Sequence, residues 1–165
     1  MSGKTEQEMV EDLINNGFDY MQQRKYPEAV KRFKKAREID PKNFDVYMHL
    51  AEGYSLLNQF DSARWAYEQA LKLDPEHVET WYKLGAMCID DTDYQEAERC
   101  LLKATEYEPD KAGAWNALGT VYLEQEKYIK AKDCFKKALA LDPDYKQASY
   151  NLQKIREINI EELEK

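Results

Sequence analysis

Four of the five prolines, Pro41, Pro75, Pro109 and Pro143, stand at a constant interval of 34 residues, which confines the chain to a repeat architecture. Each follows an acid: Asp40, Asp74, Glu108 or Asp142. With proline near ~5% of residues, three further prolines at dictated positions arise by chance roughly once in 10⁴. Twelve residues before each proline stands an alanine (Ala29, Ala63, Ala97, Ala131), and five before it another (Ala36, Ala70, Ala104, Ala138). Between them lies a bulky apolar residue: Phe33, Tyr67, Leu101 or Phe135. Earlier in each unit come a small residue (Gly17, Ala51, Gly85, Gly119) and, three places on, Tyr20, Tyr54, Cys88 or Tyr122.

These positions recur at three- and four-residue steps, the spacing of one helix face. Small side chains allow two helix backbones to approach, and the large ones fill the space beside them. The acid–Pro pair ends a helix, because proline pushes the preceding residue out of the α region. Each unit therefore reads as helix, short turn, helix, proline. The pattern predicts first helices over 10–23, 44–57, 78–90 and 112–125, and second helices over 26–39, 60–73, 94–107 and 128–141. Thr5 with Glu8 and Asp93 with Glu96 have capping-box spacing, and Pro27 suits a first helical turn.

The units resemble the tetratricopeptide repeat. The fourth carries Trp115, Leu118, Gly119, Tyr122, Ala131, Phe135 and Pro143; the third carries Trp81, Leu84, Gly85, Ala97, Leu101, Ala104 and Pro109, with Cys88 where an aromatic is usual. The second uses Tyr47 for the tryptophan and Ala51 for the glycine, and the first diverges most, with Leu13 and Asn16 in the tryptophan and leucine places. The resemblance implies an all-α fold, a right-handed superhelical α-solenoid of antiparallel helix pairs. It divides the chain into an N-terminal extension (1–9), four repeats over 10–145 (10–43, 44–77, 78–111, 112–145) and a C-terminal solvating helix (146–165). That last helix carries an apolar stripe of Ala148, Leu152 and Ile155, which suits it to cover the final helix pair and bring the array to a natural stop.

Family resemblance also implies the function: an adaptor or scaffold holding a peptide or helix of a partner protein in a concave groove lined by the first helices. Helix phase points Ile14, Phe18, Met21, Met48, His49, Glu52, Tyr82, Lys83, Asn116 and Thr120 toward that groove. Ile14, Phe18, Met21, Met48 and Tyr82 are apolar where the repeat does not require it; they read either as packing between neighbouring first helices or as a sticky patch. The rim (Glu11, Asp45, Glu52, Glu79, Asp90, Glu124) is acidic, so the expected guest has apolar anchors and some Lys or Arg. Family members that grip the acidic tails of heat-shock chaperones use a clamp of Lys, Asn and Arg. Here its places hold Ile14, Phe18, His49, Glu79 and Lys83, of which only Lys83 fits, and chaperone-tail binding is rejected.

The remaining features narrow the field. A net charge of −8 argues against a nucleic-acid partner. The basic run Arg24, Lys25, Lys31, Arg32, Lys34, Lys35 and Arg37 is interleaved with Glu28 and Glu38 as on a solvated face. Met1 to Val10 shows no signal peptide, and no apolar run approaches the ~20 residues of a membrane span, so a cytoplasmic setting is expected. Asp45, His49 and Glu52 share a helix face, but one histidine and two acids make a poor metal set. His49 and His77 lack a register-placed Ser or Cys, and there is no phosphate-binding glycine loop; no catalytic, cofactor or metal site is expected, and the chain reads as a non-enzyme. Cys100 and Cys134 hold equivalent places in successive repeats, roughly 8–10 Å apart and too far for a disulfide. The competing readings are self-association, with a homo-oligomer built through the groove or the ends, and service as the docking domain of a larger protein.

Overall fold

The computed structural model describes residues 4–157 and, over them, nine α-helices and no strand. The helices are α1 (Glu6–Gln22), α2 (Tyr26–Ile39), α3 (Phe44–Leu56), α4 (Phe60–Leu73), α5 (Val78–Asp90), α6 (Tyr94–Tyr107), α7 (Ala112–Glu124), α8 (Tyr128–Leu141) and α9 (Lys146–Glu157). All four second helices keep the bounds read from the sequence, and α3, α5 and α7 agree within one residue. The expected α9 reaches Glu157; residues 158–165 lie outside the described part.

α1 begins at Glu6, ahead of the expected residue 10. Its apolar face starts at Val10, but the cap lies upstream. The Thr5 hydroxyl accepts the Glu8 N–H at 3.2 Å while the Glu8 carboxylate accepts the Thr5 N–H at 2.8 Å. Two of the orphan donors of the first turn are thereby satisfied.

Helix ends repeat with the sequence. The acid before each proline is extended, with φ, ψ of −125°, 90° at Asp40, −138°, 91° at Asp74, −133°, 82° at Glu108 and −135°, 95° at Asp142. The aspartates also explain the preference for an acid here. Asp40, Asp74 and Asp142 accept the N–H two residues on, from Lys42, Glu76 and Asp144, closing an Asx-type turn over the proline. Within each pair the chain reverses through one left-handed residue: Arg24 (φ 58°), Asn58 (56°), Thr92 (61°) or Glu126 (59°), again 34 residues apart. The next N–H reaches back to the carbonyl of Tyr20, Tyr54, Cys88 or Tyr122 at 2.8–2.9 Å, the six-to-one bond of a Schellman motif.

The chain falls into two compact units, the first ending at Thr80 and the second beginning at Trp81. In the first, α1 packs on α2, α3 on α4, and α2 on α3. Its core is Phe33, Val46, Leu50, Ala29, Ala63 and their neighbours, all fully buried. In the second, α7 packs on α8, α6 on α7, and α9 on both α8 and α7. Leu84, Leu101, Leu118, Val121 and Phe135 fill it. The register alanines are buried in both units, and glycine is used for contact: a β-carbon at Gly85 would meet Leu101 at 2.7 Å, and one at Gly119 would meet Phe135 at 2.6 Å. On α9, Ala148, Leu152 and Ile155 are buried. The places that receive a second helix elsewhere hold exposed Ser149, Gln153 and Arg156.

Candidate functional site

In the first unit the structure brings together part of the expected groove face. The Phe18 ring meets His49 edge-on at 4.4 Å between centroids, and both lie against buried Phe33, at 6.2 Å and 5.3 Å. The Glu52 carboxylate stands 3.9 Å from His49 Nδ1. Phe18 remains 39% exposed on this surface, so its ring is both anchored and offered to solvent. Ile14 and Met21 are half-buried on α1.

Met48 is different. It is only 7% exposed, and its sulfur accepts the Thr80 hydroxyl at 3.0 Å. Its side chain is consumed by packing against the first turn of α5 and is not open to a guest. Thr80 also explains His77, whose Nδ1 accepts the Thr80 N–H at 3.2 Å and so acts as an imidazole cap for α5.

Next to Ile14 a cleft of about 730 Å³ opens between the start of α1, the end of α2 and the start of α3. Val10, Ile14 and Ile39 supply its apolar lining, and Glu6, Glu11, Asp40 and Asp45 its charge. Glu11 and Asp45 belong to the rim expected from helix phase. Ile39 and Asp40 were not expected, because they are on a second helix and its cap, and only the folded turn carries them beside α1.

In the second unit, half-buried Tyr82 lies beneath the Lys111 ammonium, 5.3 Å from its ring centre, and a β-carbon at Gly113 would be 3.5 Å from the Tyr82 hydroxyl and 3.7 Å from that of Tyr145. Lys83 is half-buried. Asn116 is only 5% exposed; its side-chain N–H donates a long 3.5 Å bond to Gln147, and its side-chain oxygen has no partner among the described residues. The Thr120 hydroxyl donates to the Asn116 backbone carbonyl at 3.1 Å. Asn116 and Thr120 thus direct their polar groups into α7 and toward α9.

The three cysteines are buried thiols outside any disulfide. Burial, then the nearby Glu96 carboxylate, pushes the Cys100 thiol up, and burial takes Cys134 up to about 11. Tyr122 rises to about 12 through burial and Glu98, and burial raises Tyr67 and Tyr145 as well. Folding favours the neutral form of each. Their contribution to stability is complete below the unfolded values, ~8.5 for a thiol and ~10 for a phenol, and is lost as pH rises through the folded ones. Urea denaturation at stepped pH is expected to give a level unfolding free energy to about pH 8, then a decline between about pH 9 and 12. A level profile to pH 12 would remove these burial effects, and fast thiol labelling of the native protein at neutral pH would contradict them directly.

The family model of the cilia and flagella-associated protein 70 C-terminal domain, a tetratricopeptide-repeat family, matches residues 8–144. The chain belongs to this tetratricopeptide-repeat family. No curated protein sequence matches it. Among solved structures, this tetratricopeptide-repeat protein is similar to PilF of Pseudomonas aeruginosa, with a TM-score of 0.82 and 26% identity over 96% of this chain and 72% of that one. It is also similar in fold to YrrB, a TPR protein with an unusual peptide-binding site (TM-score 0.79, 24% identity, 87% of this chain and 74% of that one). MamA has the same fold (TM-score 0.80, 21% identity, 95% of this chain and 89% of that one). The tetratricopeptide fold is in general a scaffold for protein interaction. Among the described residues of this tetratricopeptide-repeat chain, no helix is long and apolar enough to cross a membrane, and no group of three or more His, Cys, Asp or Glu is placed to hold a metal.

Proposed function

We propose that this chain is a protein-interaction module, without catalysis of its own, that holds a segment of another protein against the first helices of its repeats. We read it as four repeats over 10–145 followed by a solvating helix. The observation that carries the proposal is the cleft beside α1, lined together by four carboxylates and three apolar side chains. A guest with an aliphatic or aromatic anchor and a neighbouring Lys or Arg would satisfy both. The anchor buries apolar area, while the cation meets charge that steers its approach. The exposed Phe18 edge, backed by His49 and Phe33, lengthens the apolar surface along the same unit. YrrB, with its peptide-binding site, is a precedent for the fold in this role.

A panel of peptides in which basic, acidic and apolar residues are varied tests the reading. Those pairing a basic residue with an apolar one are expected to bind best, with affinity falling as salt is raised. Glu11→Lys with Asp45→Lys is expected to lower that affinity about tenfold or more, since two reversed charges act on one cation. Equal binding of acidic peptides, or binding indifferent to salt and to both reversals, would overturn the charged part of the proposal. A mass that grows with protein concentration in light scattering would favour self-association.

A further inference from the structure

The turns into α3, α5, α7 and α9 are built alike. The residue just before the helix bonds back to the acid ahead of the proline: Asn43 to Asp40 at 3.4 Å, His77 to Asp74 at 3.4 Å, Lys111 to Glu108 at 3.2 Å and Tyr145 to Asp142 at 3.1 Å. In each case the proline is three residues before the helix, and the fourth helical residue is 34 places from its counterparts: Tyr47, Trp81, Trp115 and Ser149. The aromatic residue has a defined role. The Tyr47 hydroxyl donates to the Pro41 carbonyl at 2.9 Å, and the Trp115 indole N–H donates to the Pro109 carbonyl at 2.7 Å. Each of these two rings thereby supplies a donor to a carbonyl of its turn.

At α9 the turn is kept and the ring is missing. Ser149 offers no aromatic donor to the Pro143 carbonyl, and a pocket of about 480 Å³ opens there, lined by Pro143, Tyr145, Lys146, Ser149, Tyr150 and Gln153 among others. Tyr150 is 68% exposed and forms one wall; Tyr145 is half-buried and forms another. Lys146 also lines the pocket, and a lysine ammonium lies over the ring at the equivalent position of α7, with Lys137 Nζ 4.0 Å from the centre of Trp115.

We infer that the pocket over Pro143 is a binding site for a tryptophan or tyrosine side chain of a partner protein, whose ring takes the place left by Ser149 and whose N–H or O–H donates to the Pro143 carbonyl. The chain itself specifies the guest: it sets a donor-bearing ring at this register position in each of the three preceding first helices, and the rings of Tyr47 and Trp115 donate to the proline carbonyl of their turn. Phenylalanine fits the shape but leaves the carbonyl unpaired, so the site selects donors. The site is separate from the acidic cleft of the first unit and does not depend on it.

The experiment is an NMR titration of the full chain with N-acetyltryptophanamide, compared with its indole N-methyl derivative and with N-acetylphenylalaninamide. Saturable shifts are expected at Tyr145, Lys146, Ser149, Tyr150 and Gln153, with both comparators several-fold weaker. Ser149→Trp places the missing ring in cis and is expected to abolish binding while raising Tm by a few degrees. Tyr150→Ala, at an exposed position, is expected to weaken binding with Tm unchanged. Absent or non-saturable shifts, equal binding of the N-methyl derivative, or wild-type binding by Ser149→Trp would overturn the inference. Shifts at the same residues on concentrating the protein alone would assign the pocket to a second copy.

Discussion

Phe33→Ala is expected to lower stability by about 3–5 kcal/mol, the range for removing a buried aromatic from a core that only partly collapses. Phe33 is fully buried, Gly17 leaves room for its ring, and Phe18 and His49 pack on it at 6.2 Å and 5.3 Å. Losing the ring opens a void between α1 and α2 and removes the backing from both Phe18 and His49. Phe18→Ala provides the contrast. Its ring is already 39% exposed, so less area returns to water on truncation and the loss is expected to be smaller. Urea denaturation of both variants checks the order. A Phe33→Ala cost no greater than that of Phe18→Ala would mean that the 34-residue register does not mark the core. Binding offers a second readout: Phe33→Ala is expected to weaken a guest held at Phe18, since that ring loses the wall that orients it.

The regular part of this architecture was legible because the repeat states each constraint four times. Ala36, Ala70, Ala104 and Ala138 are buried where the period puts them, and the helices following each short turn begin at Tyr26, Phe60, Tyr94 and Tyr128. The conformation of the short turns was not legible. A left-handed residue normally announces itself as glycine or asparagine, and only Asn58 does so; Arg24, Thr92 and Glu126 are held there by the six-to-one hydrogen bonds around them.

The candidate site was legible in part, and the failures share a cause. Helix phase separates the face toward a helix's own partner from the opposite face, but it does not say how much of that opposite face a neighbouring element covers. Ile14, Met48, Tyr82, Asn116 and Tyr150 hold one register position, yet they run from buried (Met48, Asn116) through half-buried (Ile14, Tyr82) to 68% exposed at Tyr150. Met48 lost its place to Thr80, a residue 32 positions away that no local periodicity couples to it. Ser149 follows Tyr47, Trp81 and Trp115 in the 34-residue register, but its meaning required the carbonyls that the Tyr47 and Trp115 rings cover.

Gly119→Ala should destabilise the chain even though alanine is the better helix former. A methyl carbon at this position would lie 2.6 Å from Phe135 Cε1 and 2.8 Å from Cδ1, where relaxed carbon contacts need ~3.5–4.0 Å. Phe135 is fully buried and has nowhere to swing, so α7 and α8 must part. Overpacking of this kind costs about 1–3 kcal/mol, against a propensity gain of ~1 kcal/mol, leaving a net loss. On a Phe135→Ala background the sign is expected to reverse. The clash is gone, the added methyl occupies part of the void, and the propensity gain remains. The double-mutant cycle therefore carries a coupling of about 1–3 kcal/mol between residues 16 positions apart. A sign that stayed the same on both backgrounds would show that glycine recurs at this place for some reason other than the approach of the paired helices.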